Sequence, residues 1–219
     1  MNPSVTSLDQ RADEILGDLR AIARPRLIVI SGPSGVGKDT IIDRMRALHP
    51  EMYFAVTATT RPQRTGEIDG IHYFFHGEAE FAHKEAAGEF IESAVVYGHH
   101  YGVPKTPIRN AIARGQDVVV KVDVQGARKF RQLTPIGGIF IFIAPPSLDD
   151  LALRLQLRKS DDPDALFERL QTAQRELATI ELFDYVVFNE SDRVEQAVDE
   201  IMAILLAEKR RIHQPEAVL

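Results

Sequence analysis

Residues 27–38 read Leu27-Ile28-Val29-Ile30-Ser31-Gly32-Pro33-Ser34-Gly35-Val36-Gly37-Lys38, and this stretch decides the fold. Its first four residues are a short continuous apolar run, suited to a strand buried on both faces. The last seven follow the spacing GxxxxGK, and Ile41, Ile42, Met45 and Leu48 then recur at helical spacing. Glycines in such a turn let backbone N–H groups point inward around phosphate oxygens, and the helix N-terminus adds its positive dipole end. Gly32, Pro33, Ser34, Gly35, Val36 and Gly37 therefore read as a phosphate cradle, with Lys38 reaching the β- and γ-phosphates of a nucleoside triphosphate. The strand before and the helix after separate this reading from a chance glycine-rich turn.

Outward from that stretch, similar apolar runs appear at Val118-Val119-Val120, at Ile139 to Ile143 and at Tyr185 to Phe188. Helical patterns separate the later runs. Pro145-Pro146 breaks the chain, Ser147 with Asp150 makes a capping-box pattern, and Leu148, Leu151 and Leu155 give the stripe that follows. A second helix opens at Asp162-Pro163, with proline at its first position, and carries Leu166, Leu170, Ala173, Leu177 and Ile180. The final helix carries Val194, Val198, Ile201 and Leu205. Strand and helix alternate, which predicts an α/β fold with a parallel sheet flanked by helices. Residues 57–106 break the alternation. They are rich in Gly, His, Tyr and Phe and lack a long helical stripe, so they read as an inserted, partly antiparallel subdomain.

Composition narrows the class. The chain has 219 residues, 44% hydrophobic and 26% charged, ordinary values for a globular protein with one sizeable core. It has no cysteine, which excludes a disulfide framework and any thiolate metal site and fits a reducing, cytoplasmic setting. Asp9, Arg11, Asp13 and Glu14 interrupt any signal-peptide core, and no apolar run is long enough to span a membrane. A net charge of −6 lacks the basic character of a general nucleic-acid binder, so positive charge must be concentrated in a site. Near the N-terminus Leu8, Ala12, Ile15, Leu19 and Ile22 recur at helical spacing. That helix packs either on the body or on a partner subunit, the latter giving a homodimer.

The position after the loop lysine normally supplies a hydroxyl to Mg²⁺. Here it is Asp39, with Thr40 one further on, and the sequence leaves open which of the two serves the metal. Further along, Thr57-Ala58-Thr59-Thr60-Arg61-Pro62-Gln63-Arg64-Thr65-Gly66-Glu67 sets two arginines three apart, with Tyr73 beyond. Glu89-Phe90-Ile91-Glu92 and then Tyr101-Gly102 follow. Two guanidinium forks and two tyrosine hydroxyls suit a phosphate monoester, although each arginine alone reads as a solvated surface charge. His72 and His76 do not make a zinc pair, because Tyr73-Phe74-Phe75 between them reads as strand.

Taken jointly, these motifs make the chain resemble the guanylate kinase family, from about residue 26 to residue 208. The resemblance rests on the Gly-Pro-Ser-Gly-Val-Gly-Lys loop, Thr-Thr-Arg with the following Arg-x-Gly-Glu, Phe-Ile-Glu, Tyr-Gly and Val-Asp-Val-Gln-Gly. Pro-Pro-Ser, Arg-Leu-x-x-Arg and Asn189 complete the set. It implies a P-loop NTPase sheet with an inserted mixed α/β GMP-binding subdomain and a helical lid. It divides the chain into an extension (1–25), a core (26–56, 107–147 and 170–208), the insert (57–106), the lid (148–169) and a tail (209–219). It implies ATP and GMP as substrates, with Mg²⁺ accompanying ATP, and no nucleic-acid or membrane partner.

Position by position, it implies that Arg61, Arg64, Tyr73 and Tyr101 hold the GMP phosphate, and that Thr57, Glu92 and Asp123 read the base. Guanine presents N1–H and N2–H₂ donors that one carboxylate accepts together, whereas adenine would leave that carboxylate unpaired. The lid arginines would be Arg154, Arg158 and Arg169, and Asn189 would lie near the adenine. Three departures stand out. The family's Arg-x-Pro-Arg appears as Arg61-Pro62-Gln63-Arg64, Val103 replaces a residue that often carries a hydroxyl, and Lys121 stands where an acid is common. Two rival readings remain at this stage, a non-catalytic phosphopeptide-binding module of related fold and a P-loop kinase of a phosphorylated ribose.

Overall fold

The structure is a computed structural model that describes residues 11–17, 24–96, 98–133, 137–157 and 163–212. Strand β1 (Leu27–Ser31) is buried at every position. Side chains alternate along a strand, and here both sides find apolar partners. Ile28 and Ile30 join the core formed with Ile41, Met45, Leu151, Ile201 and Leu205, while Leu27 and Val29 join Ile108, Ala111, Ala127 and Phe130. A strand covered on both faces must be apolar throughout, which is why Leu-Ile-Val-Ile reads as a run rather than an alternation.

The main sheet has five parallel strands in the order β2-β7-β1-β8-β9. Besides β1 these are β2 (Tyr53–Phe54), β7 (Val118–Lys121), β8 (Gly138–Ala144) and β9 (Tyr185–Phe188). Four match the apolar runs. The edge strand β2 was not expected. It pairs through only two residues, Tyr53 with Val118 and Phe54 with Val119, too short a run to leave a pattern.

Residues 11–17 form part of a helix, α1, and none of them is buried, so the expected apolar stripe is not part of the core over the described residues. Leu8, Leu19 and Ile22 of its expected stripe lie outside the described residues. Helix α2 (Lys38–Leu48) buries Ile41, Ile42 and Met45, but Leu48, expected in the same stripe, is exposed. A second sheet, in the order β4-β3-β6-β5, is built from β3 (Thr57–Thr59), β4 (Tyr73–Phe75), β5 (Phe90–Val96) and β6 (His99–Pro104). Its β3–β6 and β5–β6 pairs are antiparallel and β3–β4 is parallel, with helix α3 (Glu78–Ala86) packing Phe81 on Phe90.

Helices α4 (Lys105–Ala113) and α5 (Val124–Leu133) cover one face of the main sheet. On the other lie α2, α6 (Leu148–Leu157), α7 (Pro163–Leu177) and α8 (Val194–Lys209). The expected capping box opens α6, since Ser147 Oγ accepts the Asp150 N–H at 3.0 Å and donates to Asp150 Oδ2 at 2.6 Å. Pro163 is the first residue of α7, and that helix runs without a break past residue 170. No helix among the described residues is long and apolar enough to cross a membrane.

Candidate functional site

The loop between β1 and α2 sits at the carboxyl end of β1, and Asp123 lies just beyond the carboxyl end of β7, where ligands of open α/β sheets bind. A cavity of about 760 Å³ opens there between the two sheets. Gly32, Ser34, Gly35, Gly37, Lys38, Asp39 and Arg169 line its phosphate-loop side. Thr57, Arg61, Arg64, Tyr73, Glu92, Tyr101 and Asp123 line the side toward the second sheet and the end of β7. Fourteen of the residues singled out from sequence thus face one space.

The loop is held by close contacts. A Cβ on Gly32, whose φ is +145°, would lie 2.2 Å from the Ile143 carbonyl oxygen, so only glycine lets the loop leave β1 against β8. Lys38 Nζ donates to the Pro33 carbonyl at 2.9 Å and to that of Gly32. Burial pulls its pKa below the ordinary lysine value, with the carboxylate of Glu176 acting in the other direction.

Opposite the loop, Arg61 is only 8% exposed. Its guanidinium donates to the Pro62 carbonyl at 2.6 Å and to Glu67 Oε1 at 2.7 Å, and lies 5.3 Å from the centroid of the Tyr73 ring. Glu67 Oε2 accepts the Arg64 backbone N–H at 2.7 Å, so one carboxylate positions both arginines. The Tyr73 and Tyr101 rings meet edge to face, 6.1 Å apart.

The third corner is acidic. Glu92, on β5, is 7% exposed, and its Oε2 has no hydrogen-bond partner. Burial first and the neighbouring Asp123 second push its pKa up to about 7. Burial also raises the pKa of Asp123, which accepts the Gly126 N–H at 2.8 Å. An unpaired carboxylate oxygen in so dry a place lacks a donor, and leaving it so is costly. Gly126 is needed for this closeness, because a Cβ there would lie 3.0 Å from Glu92 Oε1.

Other residues fall elsewhere. Arg154 donates to the carbonyls of Val36 at 3.2 Å and Asn189 at 2.8 Å and to Ser191 Oγ at 3.1 Å, and is not among the residues lining the cavity. Asn189 is buried and donates from Nδ2 to the Val36 carbonyl at 2.7 Å, bracing the loop from outside the cavity lining. Pro33, Val36 and Thr40 also lie off that lining, and Thr40 is exposed. Arg158 lies outside the described residues. Val103 is fully buried in the core with Val29 and Val120. His72 accepts the Ile68 N–H and His76 pairs with Glu80 at 2.9 Å, each occupied within the second sheet's surroundings.

Sequence reasoning missed Gln63, Thr65, Glu67, Ala94, Val96, Val122 and Glu176 as lining residues. Glu176 was findable, since it lies two helical turns beyond Arg169 on the same face of α7. Burial raises its pKa, and the Lys38 ammonium acts against that rise. A divalent cation fits the loop side. Asp39 offers hard carboxylate oxygens at the cavity wall, and Mg²⁺ is typically bound by one or two carboxylates together with phosphates and water. Among the described residues no cluster of three metal-ligating side chains forms a protein-only cage.

Known proteins share much of this sequence and fold. The sequence model of the family described as guanylate kinase matches residues 24–208. The guanylate kinase of Carboxydothermus hydrogenoformans is 44% identical over 183 residues, covering 84% of this chain and 88% of the relative. That of Clostridium perfringens is 43% identical over 186 residues, covering 85% of each. The crystal structure of guanylate kinase from Anaplasma phagocytophilum superposes with a TM-score of 0.73 at 32% identity, covering 88% of this chain and 90% of that one. The family model and these relatives each cover most of the chain, which belongs to the guanylate kinase family.

Proposed function

We propose that this chain transfers the γ-phosphoryl group of ATP directly to GMP, giving ADP and GDP. The observation that carries the reading is the buried Glu92 carboxylate with its unpaired Oε2, beside Asp123 and on the same cavity as the Lys38 loop. Guanine's N1–H and N2–H₂ supply the donors that this oxygen lacks. A site built to hydrogen-bond a substrate rejects analogues without those groups by as much as about 10⁴-fold.

In this reading Glu92, Asp123 and Thr57 take the base, and Arg61, Arg64, Tyr73 and Tyr101 take the GMP phosphate. The second sheet and its loops, residues 57–106, serve as the acceptor subdomain. The loop from Gly32 to Gly37, with Lys38, holds the ATP phosphates, and Asn189 supports the loop on the adenine side. Asp39 would hold the Mg²⁺ that accompanies ATP, and that ion would supply opposing charge to the phosphate oxygens. The lid, residues 148–169, contributes Arg154, Arg158 and Arg169 as it closes. Phosphoryl transfer asks little covalent chemistry of the protein, so alignment of the two anions and opposing charge are the main contributions. Closure excludes water and suppresses hydrolysis of ATP. We assign the activity to the cytoplasm, with its ATP and GMP.

A coupled assay of ADP formation with GMP, AMP, UMP and ribose 5-phosphate tests this. Turnover with GMP far above the other acceptors is expected. No turnover with any of them favours a phosphopeptide-binding module, and turnover with the sugar phosphate alone favours a different kinase.

A further inference from the structure

Lys121 ends β7, and its side chain is 18% exposed on the wall of the cavity. Its Nζ donates to two groups from opposite halves of the site. One is Asp39 Oδ1, in the first turn of α2 beside Lys38, and the other is the Tyr73 hydroxyl, at 3.1 Å. The ammonium lies 4.7 Å from the centroid of the Tyr73 ring, and the Arg61 guanidinium lies 5.3 Å from the same centroid. It therefore stands on the seam between the phosphate loop and the acceptor pocket.

A merely structural ion pair explains this poorly. The Asp39 side chain is 62% exposed, and a pair with so wet a partner adds little stability. Placing a carboxylate after the loop lysine also sets a negative charge where polyphosphate must bind. Lys121 cancels that charge and keeps a donor to spare, because an ammonium has three and Asp39 and Tyr73 take two. In phosphoryl transfer charge spreads over the equatorial oxygens of the moving group, midway between the two anions.

We propose that Lys121 is a further catalytic residue, whose ammonium, positioned by Asp39 and Tyr73, contacts the oxygens of the phosphoryl group in passage from ATP to GMP. This rests on the GMP kinase reading above. The bond from the γ-phosphorus to the ADP oxygen breaks as that to the GMP phosphate oxygen forms, and Lys121 keeps its proton throughout.

The test compares kcat, KM and calorimetric Kd for both nucleotides in the unmodified enzyme, Lys121→Met and Lys121→Arg. Lys121→Met should lose on the order of 100-fold in kcat, the usual effect of removing one preorganised donor, while both Kd values move less than about fivefold. Lys121→Arg, which keeps the charge, should regain at least about a tenth of kcat. If Lys121→Met does not fold, Lys121→Gln, which keeps a donor for Tyr73 but not the charge, is judged by the same figures. An uncharged variant with unchanged kcat overturns the proposal, as does a loss confined to Kd. Absence of GMP turnover in the unmodified enzyme would instead defeat the underlying reading.

Discussion

Glu92 Oε1 and Asp123 Oδ1 converge on one point from different sheets: the place a Cβ on Gly126 would occupy is 3.0 Å from the first and 3.2 Å from the second. Burial raises the proton affinity of both carboxyl groups, and the neighbouring Asp123 raises that of Glu92 further. The acidic corner is thus a charge reservoir awaiting donors.

Gly126→Ala separates stability from recognition. Alanine in a helix is favoured over glycine by about 0.5–1 kcal/mol. The added methyl meets Val122 Cβ at 3.0 Å as well as both carboxylates, so the corner must spread. KM for GMP should rise about tenfold, roughly the cost of a displaced hydrogen bond, with KM for ATP and the melting temperature little changed. Steady-state kinetics beside a thermal melt decides it, and a parallel loss on both nucleotides would contradict the assignment.

Glu92 gives the apoprotein a pH signature. Its carboxyl holds a proton more tightly in the folded chain, up to about 7, than at the ordinary 4.5 of the unfolded chain. The stability this contributes is complete below pH 4.5 and is lost as pH rises through 7, on the order of 3 kcal/mol over that window. Glu92→Gln should flatten that part of the profile in urea titrations. Guanine's donors require the ionised form, so GMP should bind more tightly as pH rises from 6 to 8, with proton uptake by buffer below pH 7. Calorimetry in two buffers of different ionisation enthalpy reads this directly; pH-independent GMP affinity would refute it.

Lys38→Met should trade activity for stability. The ammonium is buried and its pKa is lowered by that burial, so at neutral pH the charge costs the fold something. Methionine should raise the melting temperature by a few degrees, in keeping with about 1 kcal/mol. It should lower kcat by about 10²–10³-fold, as loss of one preorganised donor does. Differential scanning calorimetry and the coupled assay together check both signs.

The long apolar runs were legible because strands covered on both faces cannot hide polar residues, and the loop because glycine spacing is imposed by its geometry. Two kinds of feature were less so. The strand Tyr53–Phe54 exists through pairing with Val118 and Val119, a tertiary effect that two residues cannot announce. The partners of Asn189 and Arg154 arise likewise from how β9 and α6 dock behind the loop, with both side chains reaching the Val36 carbonyl. Glu67 was read as part of a motif, yet its role in holding Arg61 and Arg64 at once emerges only when the turn closes. Lys121 was visible as an oddity, and its meaning required seeing Asp39 across the cavity.

Helix α7 carries Arg169 and Glu176 toward the same cavity, two turns apart on one uninterrupted rod. A rod of that kind cannot retract its cation while leaving its anion in place. Ala173, between them on that rod, is buried in the main core, so the packing that holds the sheet together also sets where the two opposite charges stand along the cavity wall.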